Sequence, residues 1–157
     1  MNGRFYLVNE GGWLPTVAVR AHLKTPTANT ALGLGTGEPD EGAGLELSRT
    51  FASRTTLMAD GGYTVIGKPA GADYNNNWWY DAGIGQDVGP GPKPVLNLSV
   101  LFEEYRALVP GLENARDVLA SVSIRGVNGW RVQVSGQKGL STGSPDHAFL
   151  LGASKRF

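Results

Sequence analysis

The chain has no cysteine, which removes disulfides, thiolate metal sites and cysteine nucleophiles from consideration. Its two histidines, His22 and His147, have no metal-ligand spacing. Lys+Arg and Asp+Glu both number 14, so there is no basic excess to draw nucleic acid or acidic lipid. Charged residues make up 18%, below the roughly 25% usual in soluble domains. No apolar run reaches the ~18–20 residues of a membrane-crossing helix. The opening "MNGRFYLVNEGG" lacks a cationic start followed by an apolar stretch, so it does not read as a secretory signal. Glycine, by contrast, is abundant: 23 of 157 residues, about twice the usual share.

The pattern that fills the chain has a period of two. In "WLPTVAVRAHLK", Val17, Val19, Ala21 and Leu23 alternate with Ala18, Arg20, His22 and Lys24. Leu45 and Leu47 alternate with Glu46 and Ser48, Leu57 and Ala59 with Thr56 and Asp60, and Ala82 and Ile84 with Asp81 and Gly83. "VLNLSVLFEEY", "VLASVSIRG", "WRVQVSGQ" and "AFLLGASKRF" continue in this way. With "GRFYLVN" at the start, about nine strands are predicted, most of them near the 9–11 residues that cross a bilayer when tilted. The connections alternate short and long, which is how outer-membrane barrels distribute their turns and loops. The expected fold is therefore all-β: an antiparallel up-and-down transmembrane β-barrel forming a single domain over residues 1–157.

Face parity tests the turns, because directly opposed residues must share a face. At "RGVNGW", a two-residue Asn128-Gly129 turn would pair 127 with 130 and put the apolar residues of the two strands on opposite faces. A three-residue loop pairs 126 with 130 and places Gly129 at the left-handed position such loops require. The same loop length at "FASRT" pairs Phe51 with Thr55 and sets Glu46 opposite Asp60. Arg20, at mid-strand next door, completes an expected Arg20–Glu46–Asp60 cluster. It can serve as an internal ion network, the simpler reading, or as a constriction that selects.

If the apolar positions face lipid, the polar lumen is lined by Arg20, His22, Lys24, Glu46, Asp60, Asp81, Asp87, Glu103, Arg125 and Arg131. Trp13, Trp130 and Phe157 fall at the short-turn end and Trp78 and Trp79 at the loop end, as two interfacial aromatic girdles would. Catalysis has little to stand on. Glu103 and Glu104 point to opposite faces of a strand, and no G-x-S-x-G occurs, so the chain is read as no enzyme and as needing no cofactor or metal. "GYTVIGKP" approaches a phosphate-binding loop, but Pro69 stands where the Ser/Thr hydroxyl belongs and strand formers fill the interval. A competing fold is a soluble β-rich binding domain with a helical hairpin near residues 99–122, where helix formers flank Pro110-Gly111.

Leu14-Pro15, Lys24-Thr25-Pro26-Thr27, Gly35-Thr36-Gly37, Gly143–Asp146 and Arg156-Phe157 together resemble the meta-pathway phenol-degradation family of bacterial outer-membrane barrels. The resemblance covers most of the chain. It implies residence in the outer membrane of a Gram-negative cell and a transporter-like passage of small, hydrophobic or aromatic solutes. It also implies partners in the lipid bilayer and in the barrel-assembly machinery, the latter engaged through the C-terminal strand. Lys155 stands where an aromatic residue is frequent in that signal. An odd strand count, and family members that begin earlier, lead to the expectation that a signal peptide and N-terminal strands precede this segment. A barrel with a structural or adhesive role in the envelope is the alternative function.

Overall fold

The structure is a computed structural model, and it describes residues 1–27, 32, 35–90 and 95–155. Nine strands form a single sheet: β1 (Asn2–Val8), β2 (Thr16–Lys24), β3 (Asp40–Thr50), β4 (Thr55–Val65), β5 (Asn77–Val88), β6 (Leu96–Tyr105), β7 (Ala115–Arg125), β8 (Trp130–Gly139) and β9 (His147–Lys155). Each strand pairs antiparallel with the next in sequence order, and β1 and β9 lie at the two edges. The region 99–122, where a helical hairpin was the competing expectation, is made of β6 and β7 in continuous register from Leu96↔Ile124 to Tyr105↔Ala115. Period-two alternation outweighs local helix propensity there, because pairing on both sides satisfies every backbone group.

The turns follow the parity argument. Phe51 N donates to Thr55 O at 2.8 Å, and Gly126 N donates to Trp130 O at 2.8 Å. Between the latter pair, Gly129 has φ 79° and Asn128 φ 58°. These are the two residue types that enter the left-handed region most readily. Segments 9–15, 51–54, 89–95 and 126–129 connect strands at one end of the sheet. Segments 25–39, 66–76, 106–114 and 140–146 connect them at the other, and the first three of these are longer than any connection at the first end.

Burial is inverted relative to a globular domain. Among the described residues Ala18 is the one buried apolar side chain, while Thr64, Asp117, Ser123 and Ser135 are buried and polar. One face of the sheet is apolar and open. Leu57, Ile84, Val100, Ala120, Gly136 and Phe149 stand in one cross-strand row on it. Ile84 and Val100 are each 48% exposed and Val134 52%. The other face is polar and more enclosed. It curls enough that Arg4, Arg20 and His22 of β1 and β2 share a cavity of about 530 Å³ with Asn77, Trp79 and Tyr105 of β5 and β6.

Candidate functional site

Strand register assembles the polar face. Arg20, His22, Lys24, Glu46, Asp60, Asp81, Asp87, Glu103, Arg125 and Arg131 all fall on it, which follows from the chain of direct pairings across the sheet. Glu46 lies opposite Asp60, and the expected cluster with Arg20 forms. Arg20 Nε meets Glu46 Oε1 at 2.8 Å, and its Nη2 is paired with Asp60 Oδ2. The cluster has a fourth member, Arg4, whose Nη2 donates to the same Glu46 Oε1 at 2.8 Å. Arg4 pairs directly with Arg20 in the β1–β2 ladder, so two guanidinium groups flank one carboxylate. Its strand is short and nothing near it in sequence sets its register. The available clue was Arg4's place in the alternation of "GRFYLVN".

Trp79 is a correction. The sequence placed it with Trp78 in an outward aromatic girdle, but consecutive strand residues face opposite ways. Trp78 pairs with Tyr63 on the apolar face and stacks on Tyr80 at 5.9 Å. Trp79 pairs with Gly62 and Tyr105 on the polar face. Its indole lies across β4 and β3, over Gly62 and Gly44, where an added Cβ would come within 2.5 Å and 2.7 Å of the ring. Two absent side chains thus make the bed for one large one. The ring reaches β2, where Arg20 Cζ sits 4.6 Å from its centroid, a cation–π contact on top of two ion pairs. Gly62 was the first glycine of the apparent phosphate loop; the second, Gly67, donates its N–H to Asp40 Oδ1 at 3.0 Å.

The remaining aromatics sit as follows. Trp13 lies in the β1–β2 connection and is exposed. Trp130 opens β8 on the apolar face beneath Lys155, whose Nζ is 5.7 Å from the ring centroid. Phe157 lies outside the described residues.

The ion cluster is one end of a longer arrangement. Glu46↔Asp60, Asp60↔Asp81, Asp81↔Glu103 and Glu103↔Asp117 are successive direct pairs, so five carboxylates form one row across β3 to β7. Asp60 and Asp81 are directly opposed on β4 and β5. Tyr105 donates its hydroxyl to Glu103 Oε2 at 3.1 Å. The row is spread out: among the described residues no three His, Cys, Asp or Glu side chains are grouped so as to hold a metal ion. Elsewhere on the polar face, Lys24 pairs with Asp40 at 2.5 Å, His22 Nε2 lies 3.2 Å from Thr64 Oγ1, and Asn97 donates to Asp87 Oδ1 at 2.8 Å.

The longer connections are bonded to one another. Asn75 N donates to Leu108 O at 2.6 Å, and Asn75 Nδ2 donates to Ala107 O at 3.0 Å. Glu113 accepts from Thr142 Oγ1 at 2.7 Å and from Thr142 N at 3.2 Å. The Thr142 hydroxyl and amide, with Arg116 beside them, hold the Glu113 carboxyl below the usual range.

What these features define is an antiparallel meander with one apolar, open face and one polar face carrying an aligned row of carboxylates. No protein-family model matches the chain, and no curated protein is similar to it in sequence.

Proposed function

We propose that the chain is part of an outer-membrane β-barrel that lets small solutes pass along its polar face. The observation that carries this reading is the inverted burial: open apolar rows on one face, and polar side chains where a globular domain has its core. Apolar surface on this scale needs a cover. Strands of 9 to 12 residues from β2 to β9 match the height of a bilayer when tilted. Lipid therefore supplies the cover at no cost in further protein. Residence in the bacterial outer membrane and kinship with the phenol-degradation barrels belong to this reading. The outer-membrane part is supported by the gathering of the three longest connections at one end of the sheet, and the kinship by the sequence resemblance alone.

The test is solute entry. The chain refolded into liposomes loaded with a self-quenching dye should release the dye, and should admit small sugars and phenols in a swelling assay. Vesicles that stay sealed with folded protein present would overturn the passage reading. They would leave a structural barrel, which has its own support: Trp79 and the Arg4–Arg20–Glu46–Asp60 cluster tie β1 to β5 across the polar face.

A further inference from the structure

The five carboxylates of the row are not equally provided for. Glu46 has Arg4 and Arg20, and Asp60 has Arg20. Among the described residues no salt bridge joins Asp81, Glu103 or Asp117 to a cation. Asp117 is the sharpest case. It is 4% exposed, and its Oδ1 is buried with no hydrogen-bond partner. Asp60 Oδ1 is in the same condition at the other end of the unpaired run. A carboxylate withdrawn from water without a counter-charge is costly. Two such oxygens, on Asp60 and Asp117, bracket Asp81 and Glu103, and the stretch they enclose is a place where positive charge is missing.

The row also has a direction. Asp117 is the third residue of β7 and Glu103 the third from the end of β6, both close to the end that carries the long loops. Asp81 is fifth in β5, while Asp60 and Glu46 lie at mid-strand. The carboxylates thus descend from the loop end to the middle of the sheet, where the fixed guanidinium groups of Arg20 and Arg4 stop the run. Metal chelation is not what this geometry offers, since the acids are strung out across strands and do not converge on one point. A line of separated carboxylates attracts mobile positive charge of any shape, as acidic linings do in cation channels.

We infer that the Asp81–Glu103–Asp117 run is a cation-attracting track that makes the polar face select positively charged solutes, inorganic or organic ammonium, over anions. This rests on the proposed passage along that face and names the charge class it favours. Arg125 and Arg131, at the short-turn end, lie well away from the run.

The absence of cysteine allows a direct test that needs no open channel. Leu119→Cys places the sole thiol on the polar face, two residues from Asp117 and opposite Leu101. Full-length protein in detergent is reacted with a cationic and an anionic methanethiosulfonate reagent of similar size, with Ala70→Cys on a loop as the reference. The cationic reagent should react on the order of tenfold faster at position 119 than the anionic one, relative to position 70. Adding Asp81→Asn, Glu103→Gln and Asp117→Asn should bring the ratio close to one, and Asp117→Asn alone should already lower it. Equal rates in the parent, faster anionic reaction, or a ratio unmoved by the substitutions would overturn the inference. Charge preference of the thiol in the Leu119→Cys protein, together with sealed liposomes, would refute passage alone. Leaking liposomes without charge preference would refute the cation track alone.

Discussion

The two faces of this sheet are built from the same nine strands and differ by one step in sequence. Val100 and Leu101 are neighbours, yet Val100 stands in an open apolar row, and Leu101 sits on the polar face two residues from Glu103. In a water-soluble sheet the polar residues would be outside and the apolar ones packed against a second layer. Here the polar side chains have built the contacts: ion pairs, a cation–π contact and glycine-bedded tryptophan. The apolar side chains have ring contacts such as Trp78 on Tyr80 but stay open to whatever lies outside the sheet. Stability from burial must therefore come from whatever covers the apolar face, while the polar face supplies specificity of register and chemistry.

That contrast can be broken by moving one charge between faces. Val100→Arg puts a guanidinium at mid-strand on the apolar face and should cost about 2–4 kcal/mol in lipid vesicles, read from urea unfolding. Leu119→Arg, on the polar face beside Asp117, should cost far less. Equal penalties would mean that the faces are misassigned.

A smaller effect is expected within the polar face. Arg20→Ala leaves Asp60 unpaired and strips Glu46 of one of two cations, for about 1–3 kcal/mol. Arg4→Ala removes a half-exposed partner from a carboxylate that keeps Arg20, and should cost under about 1 kcal/mol. Unfolding of the two variants side by side checks the ranking, which reverses if Arg4 and not Arg20 organises the cluster.

Gly44→Ala sharpens the reading of Trp79. Its new Cβ meets the indole at 2.7 Å and Gly61 O at 2.9 Å, so a loss of about 1–2 kcal/mol is expected, with a changed tryptophan emission. In a Trp79→Ala background part of that loss should vanish, and a double-mutant cycle measures the coupling. Full additivity would mean that the ring does not lie on Gly44.

The smallest effect is at the loops. Because the Thr142 bonds depress the Glu113 pKa, its contribution is complete above the ordinary carboxylate value and is lost as pH falls through the lower, folded one. Hydrogen exchange of the Thr142 amide should quicken, relative to intrinsic rates, only in that acidic window. Glu113→Gln should remove the pH step.

Much of this was legible in the sequence, and the limits are instructive. Alternation fixed which residues share a strand face, and short turns carried register across a hairpin. Hence Glu46↔Asp60 and Gly126 with Trp130 could be worked out on paper. Long loops carry no such information: across 66–76 or 106–114 no count of residues says which acid meets which. The alignment of Asp81 with Asp60, and of Glu103 with Asp117, therefore appears only once the strands are paired. Arg4 escaped because the 9–15 connection, though at the short-turn end, is itself too long for its length to dictate a register. Trp79 was a different failure. Placing Trp78 and Trp79 together at an interface followed residue type and ignored the period of two that organised everything else.

The central claim is that the apolar face is covered by lipid. Sedimentation of purified, folded chain before and after detergent removal tests it most directly. The account predicts a single species in micelles, resistant to mild denaturation, and aggregation as detergent falls below its critical concentration. A monodisperse, folded protein in plain buffer would contradict it.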